Sequence, residues 1–264
     1  MRVGVITGTG TYALPELEGS AVEEVTTAHG SARVTRGQTQ GVEIAHLSRH
    51  GEGHPRLSNH VDHRANVAAL AHLDVEAVLA VTVCGAVDPE LELGSLIAFD
   101  DLHFASNRLS DGTLCTFHAT PGDRARGHWI FERPFSDPLR AALVEGAAAA
   151  GHPCRRGGCY GHVDGPRFNT RAEIRGLTAC GVTAVSQTAA PEAVLCGEAE
   201  IPYALLGYAT DYANGVVEEA TPVAELLRLI ERSTEVFAET VAAAVSQLRV
   251  TPPPSTGTVY RFES

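Results

Sequence analysis

Val3-Gly4-Val5-Ile6-Thr7-Gly8-Thr9-Gly10 opens the chain with an apolar run that breaks into glycines and hydroxyls. The run reads as a buried strand and the break as the turn at its end. Backbone N–H groups of such a turn, with the Thr9 hydroxyl, suit an oxyanion. The pattern recurs along the chain. Val42-Glu43-Ile44-Ala45-His46-Leu47 alternates as a half-buried strand does and delivers Ser48-Arg49-His50-Gly51, in which Arg49 offers a fixed cationic fork. Ala77-Val78-Leu79-Ala80-Val81 ends in Thr82-Val83-Cys84-Gly85-Ala86. Gly165-Pro166-Arg167-Phe168 and Ala209-Thr210-Asp211-Tyr212 complete a series of polar segments at strand ends, which one pocket can collect.

Helical patterns alternate with these strands. Residues 61–72 carry Val61, Ala65, Ala68 and Leu70 at mixed helical spacing, and the alanine-rich stretch 138–150 ends at Gly151 in a C-terminal cap pattern. In the last helix Thr221 is expected to cap and Pro222 to begin the first turn. Val223, Leu226, Leu227, Ile230, Phe237, Val241, Val245 and Leu248 are expected to form a stripe facing the core. Alternation over the whole length predicts an α/β fold: a single domain over residues 1–250, with a mixed central β-sheet flanked by helices. Pro252-Pro253-Pro254 marks residues 251–264 as an extended C-terminal tail. In open sheets of this kind ligands collect at strand ends.

Composition narrows the function classes. The 264 residues suffice for one large α/β domain, and no linker or internal repeat divides them. A formal charge of −12 without Lys/Arg runs argues against a nucleic-acid or anionic-membrane partner, whereas a small anion needs only local positive charge. No stretch approaches membrane-spanning length and no leader pattern precedes the first strand. Six scattered cysteines lack the density of a secreted disulfide framework, so a cytoplasmic chain with reduced thiols is expected. His50, His54, His60 and His63 lie close together but without metalloprotease or paired-cysteine spacing, and no metal is expected. Gly8-x-Gly10 lacks the third glycine of a dinucleotide fingerprint.

Seven stretches in order carry a family resemblance: the Thr9 turn, Arg49-His50-Gly51, Ser58 to Asn66, Thr82-Val83-Cys84-Gly85, Gly165-Pro166-Arg167-Phe168, Thr188-Ala189-Ala190-Pro191-Glu192, and Ala209-Thr210-Asp211-Tyr212. From residue 3 to about residue 245 the sequence resembles the trimeric nucleoside phosphorylases, in the branch holding methylthioadenosine phosphorylase and purine nucleoside phosphorylase. The resemblance implies a nucleoside phosphorylase-like fold and phosphorolysis of the N-glycosidic bond of a purine nucleoside. It also implies inorganic phosphate as cosubstrate with no cofactor, and a homotrimer. It assigns Thr9, Arg49, His50, Thr82 and Thr188 to phosphate and Phe168 to packing on the base. His128 matches a histidine that the family contributes from the neighbouring subunit to the 5′ side of the sugar.

Phosphorolysis proceeds through an oxocarbenium-like sugar, so positioning and electrostatics dominate the catalysis. The purine leaves when something donates to N7, and a carboxyl raised in pKa by burial does so as the neutral acid. Asp211 is the expected donor, with Thr188 as its catalytic companion at the phosphate. In the family, Asp here accompanies 6-aminopurines and Asn accompanies 6-oxopurines, so Asp211 points to adenine nucleosides such as 5′-methylthioadenosine. Two nucleoside-binding positions depart from the pattern. Ala213 stands where the aminopurine branch commonly has a second Asp, which weakens recognition of the exocyclic amine or leaves it to Asn214. Gln187 stands where the family packs Met beneath the ribose, and brings a donor and an acceptor to the sugar hydroxyls or to an altered sugar. His63 and Arg64 replace an aromatic and a neutral residue.

Alternative readings share parts of this pattern: a nucleosidase using water, a phosphorylase for another 5′-modified or 6-oxopurine nucleoside, or a nucleoside-binding protein without turnover. A full anion cradle argues against hydrolysis, and phosphate dependence of the rate separates the two. Tight binding without turnover identifies the last.

Overall fold

A computed structural model describes residues 1–123, 125–248 and 251–262. The chain runs β1 (Arg2–Thr7), β2 (Ala21–Thr27), β3 (Gly30–Thr39), β4 (Val42–Ser48), α1 (His63–His72), β5 (Ala77–Ala86), β6 (Leu96–Ala98), β7 (Asp101–His103) and β8 (Gly127–Ile130). It continues with α2 (Asp137–Ala149), β9 (Cys154–Arg156), β10 (Cys159–His162), α3 (Arg171–Ala179), β11 (Val182–Ser186), α4 (Ala189–Glu198), β12 (Tyr203–Tyr212), α5 (Val223–Val245) and β13 (Thr258–Arg261).

Among the described residues eleven strands share one mixed sheet in the order β2-β3-β4-β1-β5-β11-β10-β7, with β12 on the opposite flank of β5 and β6 and β9 beyond it. β1 is parallel to both β4 and β5, and β12 is parallel to β5, while β11 meets β5 antiparallel. This topology opens a gap. β1 pairs with β5 only as far as Ile6↔Ala80, and on the same flank β11 joins only at Val185↔Gly85, so β5 lacks a strand partner there over Val81 to Cys84. The C-terminal ends of β1, β4 and β11 all arrive at this gap, which explains why the polar segments converge.

Strand sequence dictates the layers. In β5, Val78, Ala80, Cys84 and Ala86 pack on one face with α1 and α4 residues such as Leu70 and Leu195; Ala77, Leu79 and Val81 pack on the other with Leu143 of α2 and Phe237 of α5. A strand covered on both faces carries no polar alternation, as its near-continuous apolar sequence requires. α3 begins with a capping box between Thr170 and Glu173 and packs Ile174 against Val182 and Val185 of β11.

Three details differ from the sequence expectations. α1 starts at His63, because the Asp62 carboxylate accepts the Ala65 N–H and so ends the preceding extended segment. Thr221 does not cap α5; its hydroxyl accepts the Tyr212 N–H instead, which ties the end of β12 to the entry of the helix. The α5 stripe divides, with Leu229, Phe237, Val241 and Val245 buried, Val223 and Leu227 more than half exposed, and Leu226 and Ile230 facing a cavity. Beyond residue 250 the chain forms β13, which pairs with β8 in an antiparallel ribbon, Tyr260 opposite His128. Trp129 anchors that ribbon by donating Nε1–H to the Thr256 carbonyl at 2.6 Å and by lying on Gly197 of α4, where a Cβ would overlap the indole.

Candidate active site

The gap beside β5 is a cavity of about 250 Å³. Its wall contains Thr9, Arg49, His50, Thr82, Phe168, Gln187, Thr188, Asp211 and Ala213, together with Asn214. His128 lies outside it, on β8, with its ring edge-on to Phe262 at 5.5 Å.

The polar groups are ordered along β5. At Val81, the carbonyl that faces the gap accepts Nη1–H of Arg49 at 2.7 Å. Arg49 is 1 % exposed and its fork is bidentate on Glu192, Nε to Oε1 at 2.6 Å and Nη2 to Oε2 at 2.8 Å. The Tyr203 hydroxyl also donates to Glu192 Oε2 at 3.1 Å. A guanidinium has five N–H donors, so these bonds leave one on each terminal nitrogen uncommitted. The charge of Arg49 is therefore balanced by Glu192, and an anion here must be held largely by neutral dipoles and the remaining N–H groups.

Those dipoles are present. Thr9 lies in the turn closed by Thr11 N–H on the Gly8 carbonyl, and this turn presses against Arg49 because Gly8 has no Cβ to overlap Nη1. The turn is also fastened to α5, where the Thr234 hydroxyl donates to the Gly10 carbonyl at 2.8 Å. Thr82 Oγ1 lies 3.0 Å from Ser186 Oγ across the gap. Thr188 sits at the N-cap of α4 with no side-chain cap bond, so its hydroxyl is free for another acceptor at the positive end of the helix.

His50 donates Nδ1–H to the Arg56 carbonyl at 2.8 Å, which sets its tautomer and leaves Nε2 as an acceptor. Burial, with the neighbouring Arg49 charge, pushes its pKa down to about 3, so the ring is neutral. It stacks on His54 at 4.1 Å, and His54 Nδ1 is in turn held by the Tyr12 hydroxyl at 3.1 Å.

At the far end of the gap β12 carries a bulge. Ala209 opposes Cys84 and Asp211 opposes Gly85, so Thr210 is the extra residue and Asp211 is turned into the cavity. Gly85 makes room, since a Cβ there would stand 3.2 Å from Asp211 Oδ2. Burial raises the Asp211 pKa above its ordinary value, opposed by the Thr210 hydroxyl, which donates to Oδ1 at 2.9 Å. Phe168, 61 % exposed, and Val163, Ile174 and Ala213 supply apolar wall around this carboxyl. Asn214 donates Nδ2–H to the Asn169 carbonyl at 2.7 Å. Gln187 accepts the Ser58 hydroxyl at 2.8 Å and donates to the Arg167 carbonyl at 3.1 Å, so both of its amide groups have protein partners.

Sequence reading assigned no role to Glu192, Ser186 or His54. Glu192 had a signal, a lone carboxylate in the apolar run Ala189 to Cys196, which demands a buried cation. The clustered histidines diverge, His50 and His54 lining this cavity while His63 faces Glu192 and a second cavity. Among the described residues no group of three or more His, Cys, Asp or Glu is placed to hold a metal ion.

A family model described as the phosphorylase superfamily matches residues 2–246. The 6-oxopurine nucleoside phosphorylase of Pyrococcus furiosus is 32% identical over 246 residues, covering 92% of each chain. The S-methyl-5′-thioadenosine phosphorylase of Chloroflexus aurantiacus is 31% identical over 249 residues, 93% of this chain and 84% of its own. Among solved structures, methylthioadenosine phosphorylase from Schistosoma mansoni in complex with adenine superposes with a TM-score of 0.84 at 28% identity, covering 94% of this chain and 91% of that one.

Proposed function

The chain belongs to the phosphorylase superfamily and carries out phosphorolysis of purine nucleosides; on that premise we propose that it favours 6-aminopurine nucleosides such as 5′-methylthioadenosine, releasing the free base and a sugar 1-phosphate. Phosphate is the cosubstrate, held by the Thr9, Thr82 and Thr188 hydroxyls and the uncommitted N–H groups of Arg49. Neutral His50 accepts at Nε2 from a protonated phosphate oxygen, and the bound anion draws its pKa upward from about 3. The sugar spans the middle of the cavity beside Gln187, so positive charge developing at its anomeric carbon lies next to phosphate.

The observation that carries the base choice is Asp211, a buried carboxyl of raised pKa in an apolar end of the cavity. Once a bound base excludes water and raises its pKa further, Asp211 donates to N7 of the departing purine as the neutral acid, and its second oxygen accepts from the 6-amino group. A 6-oxo group would place an acceptor against that acceptor. Phe168 covers the base, and Ala213 leaves the amine no second carboxylate. The relatives named for 6-oxopurines support a second reading in which inosine-type nucleosides are preferred. No cofactor enters this scheme.

The active unit in this reading is a homotrimer in which His128 of one subunit completes the 5′ side of a neighbour's site. Its support is the exposed apolar ribbon around His128, where Ile130, Phe131, Tyr260 and Phe262 are each more than 40 % exposed. The cytoplasmic setting rests on six free cysteines, with Cys84, Cys115 and Cys196 buried. No helix of the described residues is long and apolar enough to cross a membrane.

Base release from methylthioadenosine, adenosine and inosine, with and without phosphate, tests the reading. Phosphate-dependent release of adenine is expected, and Asp211→Asn should lower kcat/KM for adenosine about 10²-fold and for inosine much less. Equal losses, or a wild-type preference for inosine, would sink the base assignment; release without phosphate would make the protein a nucleosidase.

A further inference from the structure

A second cavity of about 180 Å³ adjoins the first, and Ser58 and Gln187 line both. The partition is thin. Gln187 is clamped between the Ser58 hydroxyl and the Arg167 carbonyl, and it passes so close to Gly165 that a Cβ there would overlap both Gln187 and Ser58.

Two imidazoles, those of His63 and His162, line this cavity. His63 is 3 % exposed and its Nδ1 has no hydrogen-bond partner, Glu192 Oε1 lying 3.9 Å away. His162 Nδ1 is likewise buried and unpartnered.

The chemistry of the lining indicates which ligand. Ser58, Asn59, Ser106, Ser110 and the imidazoles each offer both a donor and an acceptor. Burial holds His63 and His162 neutral, with pKa values pushed down to about 3. Asp164 sets a carboxylate in the wall, and Arg108 Nη1 donates to the Gly112 carbonyl at 2.8 Å. The wall thus holds one guanidinium and one carboxylate among a majority of neutral polar groups, and hydroxyl groups, donor and acceptor at once, match it.

The cavity is braced rather than collapsible. Arg64 spans from α1 to the loop that forms its outer side, donating to the Thr116 and Leu114 carbonyls and to the Thr113 hydroxyl at 2.8, 2.7 and 3.2 Å. His63, Arg64 and Gln187, three of the four residues that depart from the family pattern, thus build this one feature.

We propose that the second cavity is a subsite for a neutral, hydroxyl-bearing group carried on the 2′- or 3′-oxygen of the ribose, so that the chain accepts 2′- or 3′-O-glycosylated purine nucleosides. The proposal rests on the phosphorylase reading, which places the sugar beside Gln187. The substituent displaces the Gln187 amide from Ser58 or passes beside it, and its hydroxyls engage His63 and His162.

The test compares phosphorolysis of 2′-O- and 3′-O-ribosyladenosine with that of adenosine, in wild type and in Ser110→Trp, which fills the second cavity from its exposed loop. Wild type should process the better glycosylated substrate with at least about one-tenth the kcat/KM of adenosine, and Ser110→Trp should lower that ratio at least about tenfold. A smaller ratio in wild type, or a smaller drop in the variant, overturns the subsite. If adenosine itself is not phosphorolysed, the phosphorylase reading has failed and calorimetry decides the subsite separately. Binding of a ribosyladenosine at least about tenfold tighter than adenosine, lost in Ser110→Trp, supports it, and any weaker discrimination overturns it.

Discussion

Arg49 and Glu192 form a bidentate ion pair in which both side chains are 1 % exposed or less. Removing one partner of such a pair leaves an uncompensated charge in the interior and costs roughly 3–5 kcal/mol. Here the loss has a second consequence, because Glu192 is the charge that offsets Arg49 at the phosphate end. Glu192→Gln should therefore lower the melting temperature of the free protein while making added phosphate a stronger stabiliser than it is for wild type. Thermal melts across a phosphate series check this, and an equal or smaller phosphate shift in the variant would show that Glu192 does not neutralise the site. Arg49 was legible in the sequence as an anion ligand by its position after a strand. That its charge is largely spent inside the protein was not, since Glu192 lies 143 residues away.

Among the elements, α2 packs closely on α5, the helix whose Leu226 and Ile230 line the cavity. A Cβ on Gly146 would stand 2.7 Å from the Thr240 carbonyl oxygen and 2.8 Å from the Ala244 nitrogen, both backbone atoms of α5. Alanine is the better helix former by about 1 kcal/mol, but forcing a methyl into backbone contact typically costs 1–3 kcal/mol or more. Gly146→Ala should therefore be destabilising on balance, with a lower denaturation midpoint in urea and an unchanged slope. A neutral or raised midpoint would mean that the helices are free to part. The helix over 138–150 was readable from composition and its terminal glycine, while the need for Gly146 was not, because it depends on what packs there. Similarly, the α5 stripe could be read as apolar without revealing that Leu226 and Ile230 serve the cavity and not the core.

For the whole molecule, buried neutral histidines set the acid limit. Burial is the main cause that pushes His46 to about 4 and His50, His63 and His162 to about 3, against 6.5 for a free imidazole. Between those values the unfolded chain binds protons that the folded chain refuses, so stability is complete above about pH 6.5 and falls as the pH drops toward 4. At pH 5 the loss is on the order of 2 kcal/mol for each of the buried His46 and His63. Melting temperatures from pH 8 to 4.5 should decline steeply below 6.5, and a flat profile would contradict the neutral assignment. The trimer is tested at the same scale: light scattering should return three chain masses, and a fully active monomer would refute the role given to His128.

Local information determined the alternation of strands and helices, the polar breaks at strand ends, and the acidic residue at the end of β12, because each depends on residues within one turn or strand of one another. Composition argues against a nucleic-acid partner through the formal charge of −12. Tertiary structure alone decided how those breaks are used. The gap along β5 exists because β1 stops and β11 enters from the opposite direction, a matter of topology that no window of sequence contains. The bulge that turns Asp211 inward, the compensation of Arg49 by Glu192, and the second cavity walled by His63, His162 and Gln187 all join residues distant along the chain. Such contacts are governed by burial and by the pairing of buried polar groups, and those are properties of the packed molecule rather than of its local sequence.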